Sequence, residues 1–378
     1  EMQAKSTFLA AGWDFATTWA MIDGTTYPMF QSGFESVKLD SLHVEASEDV
    51  LDWDPGAFEP GQGAYTVISD EFIPSVDVSA SPADSDTTVA IDGTEDVSVT
   101  VPVTAGDNVI EVVTTDINGF AQGVYKFTIR VPAPGPTDVE IPSDRYYGTA
   151  DTLTFVVTYE GDVDVTGEPS KPRIPIVIGE GADIETVYAD FIGQPDGEPN
   201  KLIFEYEVED ELVDTDGIEV GATIELPGDA EITASGVAVP LDLPSTDTAG
   251  IQIDSKAPTI VITQDPDRGT LTRGKVTLTV AADGTGSEIA EVRWADGLRT
   301  ETYFDSGGTW LVDGFFEVEE NGTYTAYAED EAGNRTVETI VVSNIISEAP
   351  QILLTFAPIA ATKAPVTVSV TASVYDRS

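Results

Sequence analysis

The sequence predicts an all-β protein made of several small β-sandwiches in tandem. Short segments alternate apolar and polar residues with a period of two, as half-buried strands do. Residues 107–131 and 322–342 each place two such segments around a turn rich in Asp, Gly and Asn, which predicts a β-hairpin. The pattern restarts after the Pro-containing linker 132–136 and again near position 255. Hairpins repeated between such linkers are typical of sandwiches strung along one chain.

The composition excludes several classes of function. The 378 residues carry 68 Asp and Glu, 17 Lys and Arg and a single histidine, which gives a formal net charge of −51. Nucleic acids and anionic membrane surfaces would be repelled by this charge. The chain has no cysteine, so a disulfide framework, an iron–sulfur cluster and a Cys-ligated zinc site are excluded. No apolar run reaches the length of a membrane span, and no signal peptide is visible at the start. We therefore expect a piece of a longer exported protein.

The acid excess itself has two interpretations. Carboxylates at this density are consistent with a solvated surface that keeps the chain soluble. They are also the ligands that Ca²⁺ prefers, so the composition predicts structural Ca²⁺ at some of the acidic loops.

The N-terminal residues 1–36 crowd aromatic side chains into a stretch with few charges. Such a stretch cannot bury its apolar surface alone, so we expect it to abut a larger core. Segments 12–15 (Gly-Trp-Asp-Phe) and 19–22 (Trp-Ala-Met-Ile) resemble the end of a GLUG-type repeat array of bacterial surface proteins. This resemblance implies that the fragment ends a β-solenoid region.

Residues 37–131 form the first predicted sandwich. Their order of apolar, Pro, Gly and Asn residues is similar to that of the cadherin-like β-sandwich family of bacterial exported proteins. The matching positions are Leu39, Leu42, Phe58, Pro60, Tyr65, Gly106, Asn108, Ile110, Tyr125 and Ile129. Most of these are core or turn positions, so the resemblance implies a fold and says little about function.

Residues 137–254 form the second predicted sandwich, which resembles an Ig-like repeat of large bacterial surface proteins. Ala150 stands where that repeat usually has glycine, which affects the turn before one strand. The matching positions are Tyr147, Leu153, Phe155, Val163, Val165, Gly167, Pro169, Leu202, Phe204, Tyr206, Val208, Asp214, Asp216, Gly217 and Ile218.

Residues 255–346 form the third predicted sandwich, and residues 347–378 begin an incomplete fourth. Both open on an Ala-Pro step followed by a strand pattern, a junction that resembles the start of bacterial Ig-like repeats. The full prediction is thus an all-β chain of tandem Ig-like and cadherin-like β-sandwiches behind the end of a solenoid.

The best local candidate for a metal site is Asp210, Asp214 and Asp216, which precede Gly217. Oxygen-bearing side chains at alternate positions before a glycine turn can surround a hard cation. The spacing does not fit an EF-hand, because Leu212 and Thr223 would occupy the first and twelfth ligand positions. The alternative is a solvated Asp-Gly turn.

Two further candidates lie in the third sandwich and at its start. The loops that carry Asp283, Asp330 and Asn334 are expected to meet at one end of that sandwich, where their oxygens would face a cation. Local turn chemistry is the alternative. Asp254 lies beside a predicted junction, where carboxylates of neighbouring domains can share Ca²⁺ and stiffen the array.

Catalysis finds little support, and we expect a protein that is not an enzyme. His43 is the only histidine and lies on an alternating strand, so neither a His-based triad nor a His-rich zinc site can be assembled. Trp53, Trp294 and Trp310 are candidates for stacking on sugar rings, although Trp294 alternates with Val292 and is predicted to lie in the core. The ligand, if there is one, is not identified by the sequence.

These observations predict a structural stalk or adhesion segment of a large exported bacterial surface protein, stiffened by Ca²⁺. Two alternatives remain open. One is a self-assembling surface-layer or filament subunit, and the other is a glycan-binding accessory region of a secreted polysaccharide-degrading enzyme. The expected partners are other domains of the same protein, extracellular or cell-wall polysaccharide, or further copies of the chain, all outside the cell.

Overall fold

A computed structural model describes residues 2–46, 51–54, 56–181 and 183–346. The predicted fourth sandwich, residues 347–378, lies outside the described residues. The described chain is dominated by β-strands, and the predicted all-β class is confirmed. No helix in the described ranges is both long and apolar enough to cross a membrane.

Residues 2–36 differ from the predicted solenoid coil. They form the helices α1 (Lys5–Ala10) and α2 (Gln31–Glu35), with a two-stranded hairpin of β1 (Trp19–Ala20) and β2 (Met29–Phe30) between them. Ile22 is fully buried in the core of the first sandwich, as expected for a stretch that abuts a larger core. Their aromatic rings follow one another in a row instead of filling a coil: the Trp13 and Trp19 rings are tilted with centroids 4.6 Å apart, and Trp19 stacks on Phe30.

The first sandwich packs a five-stranded sheet, in the order β4-β5-β10-β9-β7, against a three-stranded sheet, β3-β6-β8. Its strands are β3 (Leu39–Glu45), β4 (Asp52–Asp54), β5 (Ala64–Ile68), β6 (Ser75–Pro82), β7 (Thr88–Ile91), β8 (Ser98–Pro102), β9 (Gly106–Thr115) and β10 (Gln122–Val131). The predicted hairpin of β9 and β10 is confirmed, and the Asp116 carboxylate closes its turn by accepting hydrogen bonds from the backbone N–H groups of Phe120 and Ala121.

The second sandwich contains a six-stranded sheet, β11-β13-β17-β16-β15-β19, and two three-stranded sheets, β12-β22-β18 and β14-β20-β21. Its strands are β11 (Pro136–Glu140), β12 (Arg145–Tyr147), β13 (Thr152–Tyr159), β14 (Asp164–Thr166), β15 (Arg173–Ile178), β16 (Glu185–Gly193), β17 (Lys201–Glu207), β18 (Val213–Asp214), β19 (Glu219–Val220), β20 (Glu231–Ala234), β21 (Val237–Ala238) and β22 (Ile251–Asp254). Leu153, Phe155, Leu202 and Phe204 alternate inward and are fully buried.

The third sandwich packs the sheet β23-β24-β27 against the sheet β26-β25-β28-β29. Its strands are β23 (Thr259–Asp265), β24 (Val276–Asp283), β25 (Ile289–Asp296), β26 (Thr309–Trp310), β27 (Phe315–Val318), β28 (Gly322–Asp330) and β29 (Arg335–Val342), with a 3₁₀ helix at Glu301–Tyr303. The predicted hairpin of β28 and β29 is confirmed.

The first and second sandwiches meet through apolar contacts, which we call the first junction. Ala105, in the loop before β9, packs into the core of the second sandwich. A methyl group added to Gly161 would lie 2.6 Å from the Phe72 ring, and one added to Gly106 would lie 3.2 Å from Val237. The backbones at these glycines therefore approach the opposite sandwich closely.

Candidate functional site

The second and third sandwiches meet at a polar contact, which we call the second junction. Strand β22 ends at Asp254 and strand β23 begins at Thr259, so residues 255–258 are the whole connection. Both sandwiches contribute loops to this contact, and the predicted residues Asp254, Asp330 and Asn334 come together there.

Asp254 is the centre of the second junction. Its residue surface is 0% exposed, although its backbone belongs to the last strand of the second sandwich. Carboxylate oxygen Oδ2 accepts hydrogen bonds of 2.6 Å from both the backbone N–H and the hydroxyl of Ser287 in the third sandwich. Oxygen Oδ1 accepts a 3.2 Å bond from the backbone N–H of Lys256. The carboxylate thus connects the end of one sandwich to a loop of the next.

Asn334 provides a second connection across the same junction. Its side-chain amide donates to the backbone oxygen of Asp254 at 2.7 Å and to the Asp330 carboxylate at 3.1 Å. The backbone N–H of Asn334 donates to the other Asp330 oxygen at 2.9 Å. This turn between β28 and β29 is therefore held in shape by Asp330 and attached to the second sandwich by Asn334.

Asp330 is almost as deeply buried as Asp254. Burial raises the pKa of the Asp330 carboxyl above its ordinary value, and the nearby charge of Asp254 raises it further, while the hydrogen bonds from Asn334 act in the opposite direction. The charge of Asp254 therefore opposes ionisation of the buried Asp330 carboxyl.

Ser255 fixes the connection to the second sandwich. Its hydroxyl accepts a 2.8 Å hydrogen bond from the backbone N–H of Leu212, and its own N–H donates to the Leu212 oxygen at 2.9 Å. The backbone oxygen of Ser255 accepts a hydrogen bond from the Thr149 hydroxyl. The first residue of the connection is thus fixed to the second sandwich by hydrogen bonds through its side chain, its N–H and its backbone oxygen.

Two glycines permit the close approach at this junction. A methyl group added to Gly286 would lie 2.6 Å from the Asp254 carboxylate. One added to Gly148 would lie 2.9 Å from the Ala332 oxygen and 3.2 Å from the Asn334 side-chain oxygen. All three distances are shorter than side-chain carbons normally make with these atoms, so Gly286 and Gly148 each depend on being glycine.

The Asp283 carboxylate, a predicted ligand, closes a local turn. Asp283 is exposed, and its carboxylate accepts a hydrogen bond from the backbone N–H of Thr285 at 3.0 Å. The loop that carries Asp283 does reach the junction, but it does so through Gly286 and Ser287 rather than through the carboxylate.

The predicted cluster of Asp210, Asp214 and Asp216 is spread over buried and exposed positions. Asp214 is buried, and its two oxygens accept 2.8 Å hydrogen bonds from the backbone N–H groups of Gly179 and Gly217. Burial raises its pKa against the effect of these bonds. Asp210 and Asp216 are exposed. Within the described ranges, no three His, Cys, Asp or Glu side chains lie close enough to hold a metal ion.

The three candidate tryptophans have different surroundings. Trp294 stacks on Phe316 with ring centroids 4.0 Å apart and packs against the core of the third sandwich, as its alternation predicts. Trp53 packs against Tyr65 and Phe127 in the first sandwich. Trp310 is 58% exposed, and the Arg293 guanidinium lies 4.4 Å from its ring centroid.

Sequence reasoning missed Ser287, Gly286 and Gly148. Ser287 supplies both donors to the buried Asp254 oxygen, yet a Gly-Ser step in a polar loop is typical of ordinary turns. The only signal was the loop position itself, because loops of alternate strands cluster at the ends of a sandwich.

Comparison with known proteins gives one family match. Residues 39–132 match the family model described as a cadherin-like beta sandwich domain, which confirms the resemblance of the first sandwich. No curated protein matches the chain in sequence.

Solved structures of tandem modules are also similar to the chain. The fibronectin(III)-like modules of Clostridium thermocellum CbhA are 11% identical, with a TM-score of 0.22, and the match covers 54% of this chain and 92% of theirs. The FN1–FN3 domains of chicken CNTN1 are 11% identical, with a TM-score of 0.25, and the match covers 81% of this chain and 99% of theirs. The titin I-band fragment I67–I69 is 10% identical, with a TM-score of 0.29, and the match covers 70% of this chain and 90% of the fragment.

Proposed function

We propose that the chain is a non-enzymatic structural segment of a large exported bacterial surface protein, in which tandem sandwiches act as a spacer and carry adhesive contacts. The cadherin-like match of the first sandwich and the tandem arrangement of sheets support this function. The acid excess supports a location outside the cell, because an extended and soluble array is favoured by self-repulsion.

One observation carries the proposal. The fully buried Asp254 ends a strand of the second sandwich and binds Ser287 of the third. A spacer holds its two ends at a set distance only when neighbouring sandwiches keep a fixed orientation. A short connection that is hydrogen-bonded to both sandwiches can keep this orientation. A freely jointed array would need a longer connection with few contacts.

Amide hydrogen exchange of the full chain tests this proposal. The Ser287 amide donates to Asp254 across the junction. It should exchange at least about tenfold more slowly in the wild type than in an Asp254→Ala variant, because opening of the contact exposes it. The Gly217 amide, which donates to Asp214 inside the second sandwich, serves as the control and should not change. Equal exchange of Ser287 in both proteins would contradict a closed junction.

Calcium is the second part of the proposal. Asp254, Asp330 and Asn334 offer the oxygen ligands that Ca²⁺ takes, and two buried carboxylates gain from a nearby positive charge. Their oxygens already accept hydrogen bonds from Ser287, Lys256 and Asn334. A cation here would therefore complete its coordination with amide and backbone oxygens, and would add positive charge where the two carboxylates repel.

Thermal unfolding with and without millimolar Ca²⁺ tests this part. A rise in midpoint that is specific to Ca²⁺, and that is lost in an Asp330→Asn variant, would support a stiffening ion. A rise no greater than that given by Mg²⁺ or by matched ionic strength would contradict it.

The exposure of Trp310 favours a second candidate function, binding of extracellular polysaccharide. A tryptophan that is 58% exposed on an edge strand presents an apolar face on which a sugar ring can stack. Retention of the chain on a polysaccharide matrix should be lost in Trp310→Ala and kept in Trp294→Phe, whose ring is packed in the core. Self-assembly remains a prediction that these residues do not address.

A further inference from the structure

The six-stranded sheet of the second sandwich opens at one end. Residues 190–193 of β16 pair with residues 203–205 of β17. Beyond this point, residues 185–189 of β16 continue to pair with β15, and residues 206–207 of β17 continue to pair with β13. No ladder joins β16 to β17 there within the described chain, so a cleft forms between two strands that are each supported on their other side.

The cleft has a volume of about 410 Å³ and is strongly acidic. Five carboxylates line it: Glu185, Asp190, Glu205, Glu207 and Glu209. None of the ion pairs formed among the described residues involves any of the five. Five carboxylates outnumber the one cationic side chain that lines the cleft, Arg173, so they repel each other and a positively charged ligand would relieve that repulsion.

The Tyr206 hydroxyl is an independent feature of the same cleft. Tyr206 lines it and is 8% exposed, and its hydroxyl is shielded from solvent without a hydrogen-bond partner among the described residues. Burial raises the pKa of Tyr206, the backbone N–H of Glu209 lowers it, and the charges of Glu209 and Glu185 raise it. The hydroxyl therefore lies near the acidic wall and lacks a well-formed bond, which is costly for a buried polar group.

The cleft already accommodates one cation at its edge. The Arg173 guanidinium lies 3.6 Å from the Tyr188 ring centroid and donates two hydrogen bonds, of 3.0 and 2.8 Å, to one oxygen of Glu225. An aromatic face beside carboxylates is a combination that attracts a cationic side chain. Because Glu225 neutralises Arg173, the five carboxylates of the cleft remain uncompensated.

From this geometry we propose that the cleft binds the primary ammonium group of a lysine side chain presented by a partner polypeptide. The ammonium group supplies three donors, which the carboxylates and the Tyr206 oxygen accept, while the methylene stem packs on the face of the Tyr188 ring that Arg173 does not cover. The observations favour a partner over a second copy, since this chain has only 17 Lys and Arg in 378 residues. This proposal adds an interaction surface to the spacer role and does not depend on it.

Ring-proton NMR of Tyr188 and Tyr206 in the full chain tests the proposal, at physiological ionic strength to screen non-specific attraction. The probe is the tripeptide acetyl-Gly-Lys-Gly-amide, and its control replaces lysine with norleucine. We expect saturable shifts of both rings with the lysine probe alone. Shifts spread evenly over the acidic surface would overturn the proposal.

Three variants sharpen the test. Glu207→Gln should weaken binding about threefold, whereas Glu231→Gln, an equal charge change at an exposed position of β20 outside the cleft, should not change it. Tyr206→Phe should weaken binding about fivefold without destabilising the unliganded protein, because the hydroxyl that it removes lacks a well-formed hydrogen bond among the described residues. Equal effects of the two glutamate variants, or unchanged binding by Tyr206→Phe, would overturn the assignment.

The source of the ammonium group is tested separately with n-butylammonium. Tighter binding of the tripeptide would support a polypeptide partner, since its backbone adds contacts along the open strands. Equal affinity for the free amine would overturn that part of the proposal.

Discussion

The two junctions of this chain join similar sandwiches by different chemistry. The first junction is apolar: Ala105 enters the core of the second sandwich, and Phe72 lies against Gly161. The second junction is polar and centres on the buried Asp254, which binds Ser287 across the contact. One chain thus uses non-directional burial at one contact and directional hydrogen bonds at the next.

This difference predicts different sensitivities. Apolar burial depends on surface area and tolerates small shifts of the partners. A buried carboxylate is stable only while its donors remain in place, because an unpaired charge or donor in the interior is costly. The second junction should therefore respond more than the first to single-atom changes, and it alone should add a small dependence on pH.

The largest expected effect is that of Asp254→Ala. The substitution leaves the hydroxyl and N–H of Ser287 buried without an acceptor, which should cost about 3 kcal/mol of unfolding free energy. Urea unfolding measures the loss. Asp283→Ala, an exposed position on a loop that reaches the same junction, should cost less than about 1 kcal/mol. Equal losses would remove the distinction between buried and exposed carboxylates.

Glycine substitutions compare the two junctions directly. Gly286→Ala places a methyl group 2.6 Å from the fixed Asp254 carboxylate and should cost about 2 kcal/mol. Gly161→Ala meets the far edge of the Phe72 ring, which can rotate away, so a cost below about 1 kcal/mol is expected. Gly61→Ala, with open space around it, is the control. A larger loss at Gly161 than at Gly286 would contradict the contrast.

The smallest expected effect is a dependence on pH that arises at Asp330. Its folded-state pKa is raised by burial, so its contribution to stability is fully present below the ordinary value of 3.8 and is lost as pH rises through the raised value. Asp330→Asn cannot titrate, so its stability relative to the wild type should increase from acidic to neutral pH. Urea titrations across that range measure the difference. If the stability of Asp330→Asn relative to the wild type fell toward neutral pH, the prediction would be contradicted.

The sequence predicted the strands well because their residues alternate strictly. Residues 107–131 were expected as a hairpin, and β9 and β10 occupy Gly106–Thr115 and Gln122–Val131, with the alternate positions of β10 buried. The N-terminal prediction did less well. The contact of Trp13 with Trp19 depends on which surfaces meet in three dimensions, and short segments that resemble a repeat do not determine those surfaces.

The second junction was predictable in part for a similar reason. Asp330 and Asn334 were expected together because one hairpin turn carries both, and Asp254 was expected beside a junction. Ser287 and Gly286 were not, because the loop that covers a buried carboxylate depends on how the two sandwiches dock. The open end of the sheet between β16 and β17 also escaped prediction, since both strands alternate as paired strands do.

The central claim, that the second junction holds two sandwiches in a fixed relation, is tested most directly by a distance measurement. The chain has no cysteine, so spin labels can be placed at Glu231→Cys and Glu338→Cys, which are exposed positions in the second and third sandwiches. We predict a narrow distance distribution by double electron–electron resonance, unchanged in Asp283→Ala and broadened in Asp254→Ala. A broad distribution in the wild type would contradict the claim.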